Sequence, residues 1–260
     1  MTSAPHVMAG PGLTPWLALL VPAALFALYV TAHYRQHQRL SPWRLASFFL
    51  GAALLAVALV PPLTAFAHHD LRGHMLQHLL LGMFAPLGLI FGAPGTLLLR
   101  SVPTAAARRL VALLATGPVR VLIHPLSAAL LDIGAMYLLY LTPLYALSTT
   151  SGTLHVLLHV HFVVAGCLFT WAIAGPDPAP HRPSLQLRLV VLFIATAAHA
   201  TLAKLMYAHG FPHGIDSDSE ALEAAAQLMY YGGDAAELVL IVAFFALWFR
   251  QRSPAMSLSA

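Results

Sequence analysis

Polar positions are spaced along this chain so that apolar runs near twenty residues recur seven times, at about 13–32, 44–62, 75–99, 121–143, 154–174, 187–208 and 227–249. A hydrocarbon core roughly 30 Å thick is crossed by about 20 residues of α-helix rising 1.5 Å each. Each run therefore predicts one transmembrane helix, and the short polar intervals predict loops. The expected fold class is all-α, a polytopic membrane helical bundle of about seven spans. Residues 1–260 are read as a single integral-membrane domain, since there is no internal repeat, low-complexity tract or interdomain linker. The first run reads as a retained anchor. Its N-terminal flank is uncharged, and Arg35, Arg39 and Arg44 follow it in place of a cleavage site.

Composition adds what the pattern leaves open. The chain is 59% hydrophobic, with 13 Lys and Arg and 9 Asp and Glu in 260 residues, whereas a soluble domain of this length carries about 65 charged side chains. A water-soluble globule is excluded, and the spans leave no room for a second, soluble domain. One Cys excludes a disulfide framework and any Cys-based zinc or iron–sulfur site. The pI of 9.5 suggests nucleic acid until the basic residues are sorted by loop. Arg35, Arg39 and Arg44 follow span one; Arg100, Arg108, Arg109 and Arg120 follow span three; Arg182 and Arg188 follow span five; Arg250 and Arg252 follow span seven. These eleven lie on one side, against Arg72 and Lys204 on the other. The partner implied is a lipid bilayer and no nucleic acid. The positive-inside bias puts the N-terminus outside and the C-terminus in the cytoplasm. The loop after span six, with Asp216, Asp218, Glu220 and Glu223, is then external and acidic.

That topology divides the fifteen His. His33, His37, His124 and His181 fall on the cytoplasmic side as solvated or interfacial residues, and His6 belongs to the N-terminal tail. Nine lie near the external face: His68, His69, His74, His78, His155, His159, His161, His209 and His213. Within this group His74 and His78 in HMLQH, and His155 and His159 in HVLLHVH, are each four residues apart. On a helix that spacing projects two imidazoles from one face, about 6 Å apart along the axis. Both pairs lie where spans three and five enter from outside, so a four-imidazole metal site is geometrically available. Interfacial His are common because the ring is amphipathic, but two such pairs on one side favour metal, imidazole being the usual ligand for zinc, copper, iron and nickel. His161 points away from its helix neighbours and is a weaker candidate. Met75 and Met229, with Met206, lie near the external span ends, and thioether suits Cu(I). Cys167, near the midplane, reads as a buried small residue.

Ionisable groups inside a membrane are expensive and call for partners. Asp132 in span four, His199 and Lys204 in span six, and Asp234 and Glu237 in span seven are expected to form an intramembrane polar network. Lys204 would pair with an acid or snorkel outward, and Gly232-Gly233 would allow close helix approach.

The segment HMLQHLLLGMFAPLGLIFGAP over 74–94, HP at 124–125, TPLY at 142–145 and HVLLHVHFVVAGCLFTW over 155–171 together resemble the CtaG family of caa3-type cytochrome c oxidase assembly factors, over roughly 44–250. The acid-bearing QLMYYGGDAAE at 227–237 departs from that family's pattern. The resemblance implies a multi-pass protein of the bacterial cytoplasmic (inner) membrane, not an enzyme, that serves haem–copper oxidase subunits in copper insertion. The matching positions are His74, His78, His155 and His159. Ligand exchange rather than bond-making catalysis is the mechanism expected. Alternatives from other classes are a b-type haem protein held by axial His, a His-box metalloenzyme using zinc or iron, and a transporter with Asp132 and His199 on its pathway. No HExxH, GxSxG or phosphate-binding glycine loop is present.

Overall fold

The computed structural model describes residues 14–35, 41–215 and 218–252. His6, His37, Arg39 and Asp216 therefore lie outside the described residues. Among those described there are helices and no strand, as the apolar pattern requires. In chain order they are α1 (Leu20–Arg35), α2 (Pro42–Leu59), α3 (Pro61–His69), α4 (Leu71–Phe91), α5 (Pro94–Ser101), α6 (Thr104–Leu114), α7 (Gly117–Leu122), α8 (Pro125–Leu141), α9 (Leu144–Thr150), α10 (Gly152–Ala174), α11 (Leu185–His209) and α12 (Ser219–Arg252).

Six of these helices are long and apolar enough to cross a membrane, counting the first from Trp16, and a seventh exists if α8 and α9 are one span bent by 81°. The protein is thus a multi-pass helical membrane protein. Several boundaries differ from those the apolar runs suggest. Span three runs Leu71–Phe91 rather than 75–99, because Asp70 caps its start by accepting from Arg72 N, and Ala93 (φ 55°) breaks the chain before Pro94. Span four starts at Pro125, not 121: His124 precedes it as the N-cap, its Nδ1 accepting from Leu126 N at 3.3 Å. A proline at the first helical position loses no hydrogen bond there, so the HP pair is a helix start. Glu220 and Glu223 lie in the opening turns of α12 and not in a loop.

α4 is the central helix, largely buried where α1 is largely exposed. Glycine lets its backbone approach two neighbours. A Cβ at Gly88 would lie 2.5 Å from Gly51 N on α2, and Ser47 Oγ donates to Gly88 O at 2.9 Å. On the other flank a Cβ at Gly166 of α10 would collide with the Gly82 carbonyl oxygen. Lipid tails are as apolar as Leu, so helices in a membrane associate through such close packing and buried hydrogen bonds. The consequence for the site is direct: α4 and α10, which carry the two His pairs, are backbone neighbours.

The arginine-rich end is tied together by polar contacts. Asp177 accepts from Gly95 N (2.9 Å), Thr96 N and Thr96 Oγ1 (both 2.6 Å), and so caps α5. Arg182 donates to the carbonyls of Gly175 (2.7 Å) and Asp177 (2.8 Å), and burial holds its guanidinium below the ordinary value. Arg188 is not a loop residue: it lies within α11, is 1% exposed, and donates to Ile173 O at 2.8 Å.

Candidate metal centre

α4 turns its first pair of imidazoles inward. His74 and His78 are 5% and 3% exposed. His74 Nε2 lies 3.1 Å from the Tyr140 hydroxyl, and its ring meets the Tyr145 ring edge-on at 4.8 Å. The Tyr140 hydroxyl also lies 3.8 Å from Met75 Sδ, in a side chain with no exposed surface. His78 packs edge-on against Phe162 at 4.6 Å, and neither of its ring nitrogens has a hydrogen-bond partner. Buried ring nitrogens normally find one, so His78 is a ligand-capable group left open.

The tyrosines arrive through the bend after α8. Leu144 N donates to Thr142 Oγ1 at 3.3 Å, and α9 leaves at 81°, which brings Tyr140 and Tyr145 to one place, 6.1 Å apart. The TPLY segment is therefore the turn that closes the site over His74. Spacing singles out neither tyrosine; Tyr145 is the last residue of TPLY and Tyr140 lies two residues before it, and that segment is the available signal.

The second pair sits differently. His155 and His159, half-buried on α10, contact one another at 4.2 Å between ring centroids, and His155 stacks at 4.5 Å on the exposed His68 of α3. α3 folds back on α4 because Gly73 admits it: a Cβ there would lie 2.6 Å from the Phe66 backbone. His68, His78, His155 and His159 all lie within electrostatic range of His74, and His159 and His199 within range of His78. The structure thus gathers His68, His74, His78, His155 and His159 at one end of α4 and α10. It does not converge them. Among the described residues no three His, Cys, Asp or Glu side chains are placed to hold one metal ion. Phe162, one turn from His159 and packed on His78, stands among them.

The weaker candidates separate clearly. His161 lies apart from the pair, its Nε2 2.8 Å from Leu131 O. Met229 is fully buried in the core on α12. The polar network is smaller than five residues. His199 Nδ1 lies 3.6 Å from Glu237 Oε1, and a Cβ at Gly233 would lie 2.6 Å from His199 Nδ1, so the glycine pair does admit α12 to this ring. Asp132 and Glu237 line one small cavity. Lys204 does not join them: it is exposed, with Nζ 5.3 Å from the Tyr230 ring centroid, because its long stem reaches outward more cheaply than inward. Asp234 is half-buried beside Glu237.

Comparison with known proteins adds the following. No solved structure matches this chain. Three mycobacterial proteins described only as uncharacterized are similar to it: those of Mycobacterium tuberculosis and Mycobacterium bovis are 34% identical over 164 residues, and that of Mycobacterium leprae is 27% identical over 247. The matched regions are 60%, 60% and 86% of this chain but only 25%, 25% and 37% of those proteins, so the chain spans about a quarter to a third of the relatives it matches. The family model for the cytochrome c oxidase caa3 assembly factor matches residues 25–251. That match takes in α2 to α11, both His pairs, the HP helix start and the TPLY turn, and the chain belongs to the caa3-type cytochrome c oxidase assembly factor family.

Proposed function

We propose that this protein carries copper to a haem–copper oxidase during its assembly, taking the ion as cargo at the His end of α4 and α10. The observation that carries the reading is His78, an imidazole buried to 3% exposure with both nitrogens unpartnered, within electrostatic range of His74 and His159. A fully structural His would be hydrogen-bonded. Imidazole with a nearby thioether suits copper in both common oxidation states, and Met75 Sδ lies beside the same Tyr140 that contacts His74.

The arrangement suits a carrier better than a resident centre. A permanent site holds its ligands converged and oriented by neighbours, whereas here one pair is buried and the other lies toward the surface, stacked on His68. His68, His155 and His159 would receive the ion first, and His78, with His74, would hold it more deeply. Delivery to oxidase subunits then proceeds by ligand exchange, without bond-making catalysis. The excess of Arg at the opposite end supports placing the His end outside the cytoplasmic membrane of a bacterium.

The test is copper bound per purified protein, titrated with Cu(I) and Cu(II), for the natural chain and for His78→Ala. Stoichiometric binding that falls at least tenfold in affinity in the variant supports the reading. Equal binding by both, or none by the natural chain at micromolar copper, would contradict it.

A further inference from the structure

Below the His end, toward the middle of the bundle, α4, α8, α10 and α12 line a cavity of about 20 Å³, bounded among others by Gly82, Asp132, Gly166, Thr170 and Glu237. A cavity of this size accommodates about one water where polar groups line it, and Asp132, Thr170 and Glu237 are among its lining residues. Two of the four helices that line it, α4 and α8, are locally unwound. Leu80–Phe84, which contains Gly82, and Leu130–Gly134, which contains Asp132, are single π-helical turns. Such turns are rare and frequently mark functional sites, and here two of them open on one cavity.

The charges around it do not balance. Glu237 is 5% exposed and its Oε2 has no hydrogen-bond partner, while Oε1 faces His199 Nδ1 at 3.6 Å. His199 has no exposed surface and neither ring nitrogen is hydrogen-bonded. The titratable groups facing the cavity and its margins are Asp132 on α8, Cys167 on α10, His199 on α11 and Asp234 with Glu237 on α12, with His78 of α4 within electrostatic range of His199. Among the described residues no Lys or Arg forms an ion pair with Asp132 or Glu237. Two ionised carboxylates at one small cavity inside the bundle would repel each other without any compensating cation.

We propose that the Asp132–Glu237 cavity is a proton-binding site, in which the two carboxyls and one water hold a proton at neutral pH and His199 is the next acceptor toward the His end. When the proton moves, the O–H bond at Glu237 Oε1 breaks and an N–H bond forms at His199 Nδ1. A carboxylate and an imidazolium result, and the reverse step restores both neutral groups. The site stands whether or not the His pairs take copper.

The experiment is infrared spectroscopy of the purified full chain in lipid nanodiscs, in H₂O and D₂O at neutral pH, on the natural protein and on Asp132→Asn, Glu237→Gln and the double variant. A protonated-carboxyl stretch that shifts in D₂O is expected in the natural chain. It should weaken in each single variant, vanish in the double variant, and persist in Glu220→Gln, exposed in the first turn of α12. The amide bands of the same spectra report whether each variant remains helical, and should the double variant fail to fold, the single variants decide. Absence of the stretch from the natural chain, its survival in the double variant, or no change in either single variant would overturn the proposal. So would loss of the stretch on adding sodium chloride at constant pH, which would assign the cavity to a metal cation.

Discussion

The two HxxxH pairs have the same spacing and opposite surroundings. His74 and His78 on α4 are buried, edge-on to aromatic rings and, at His74, within hydrogen-bond reach of Tyr140. His155 and His159 on α10 are half-buried, and their nearest ring partners are each other and the exposed His68. The difference comes from the helices and not from the motif. α4 is packed on several sides, by α2 through Gly51 and Gly88, by α10 through Gly82 and Gly166, and by α12 at Leu79, where a side chain on Gly232 would intrude. The α10 pair reaches beyond that packing. Spacing decides which way two imidazoles point along one helix, and the neighbours decide whether they are held or free to move.

The largest effect should come from driving the two pairs apart. Gly166→Leu has no room against the Gly82 carbonyl, so α10 must retreat from α4. Overpacking of this kind costs about 1–3 kcal/mol or more, and against a rigid backbone the upper end is expected. The chain should accumulate poorly or elute as aggregate, checked by detergent size-exclusion profiles, whereas Gly152→Ala, which meets nothing within 4 Å, should behave as the natural chain. Normal accumulation of Gly166→Leu would mean that the contact does not define the site.

Next in size is the loss of a buried ligand. His78→Ala should lower copper affinity at least about 10–100-fold, the cost of losing even a group that only orients a ligand. His155→Ala should cost less, because His68 and His159 remain beside it. Affinity by competition with a chromogenic chelator separates the two. If the α10 variant loses more, the inner and outer roles are reversed.

A smaller change sharpens the role of the tyrosines. Tyr140→Phe removes the hydroxyl 3.1 Å from His74 Nε2 and 3.8 Å from Met75 Sδ. Copper content should stay close to natural while affinity shifts several-fold, and thermal stability should fall by about 1 kcal/mol, the scale of one buried hydrogen bond. A variant indistinguishable in both would leave Tyr140 without a part in the site.

The smallest effect concerns the entry to α4. Asp70 accepts from Arg72 N at 2.8 Å and pairs with its guanidinium, a hydrogen bond that holds the carboxyl below its ordinary value. A group with a lowered folded value stabilises above the unfolded value, near 3.9, and loses that contribution as pH falls through the folded value. Asp70→Ala should therefore cost about 1 kcal/mol at neutral pH, as cap removals do, and nothing once the pH lies well below 4. Melting curves at neutral and acid pH check it; a cost independent of pH would assign the effect to packing instead.

Much of this was legible in the chain, for physical reasons. Lipid forbids unpaired backbone, so apolar runs of sufficient length become helices, and six of the seven runs correspond to long helices here. The remaining run, at 121–143, yields a shorter helix because His124 and Pro125 start it late and Thr142 and Pro143 turn the chain at its end, and hydropathy does not register a bend. The i,i+4 rule placed His74 beside His78 and His155 beside His159, and it set His161 apart. What it could not convey is depth. Whether an imidazole is buried depends on glycines in other helices, at Gly82 and Gly166, whose meaning appears only when the backbones meet. Lys204 shows the same limit: the sequence leaves open pairing with an acid or snorkelling outward, and the packing decides for the second, the side chain following the outward face of α11 toward Tyr230.

The central claim is that the His end of α4 and α10 takes copper through imidazole. Copper-edge X-ray absorption on the purified, copper-loaded chain tests it most directly. Nitrogen scattering with the multiple-scattering signature of imidazole is expected, diminished in His78→Ala and again in the His78→Ala, His155→Ala double variant, and unchanged in His161→Ala. A spectrum dominated by sulfur, or one with the same imidazole signature in all these variants, would contradict the account.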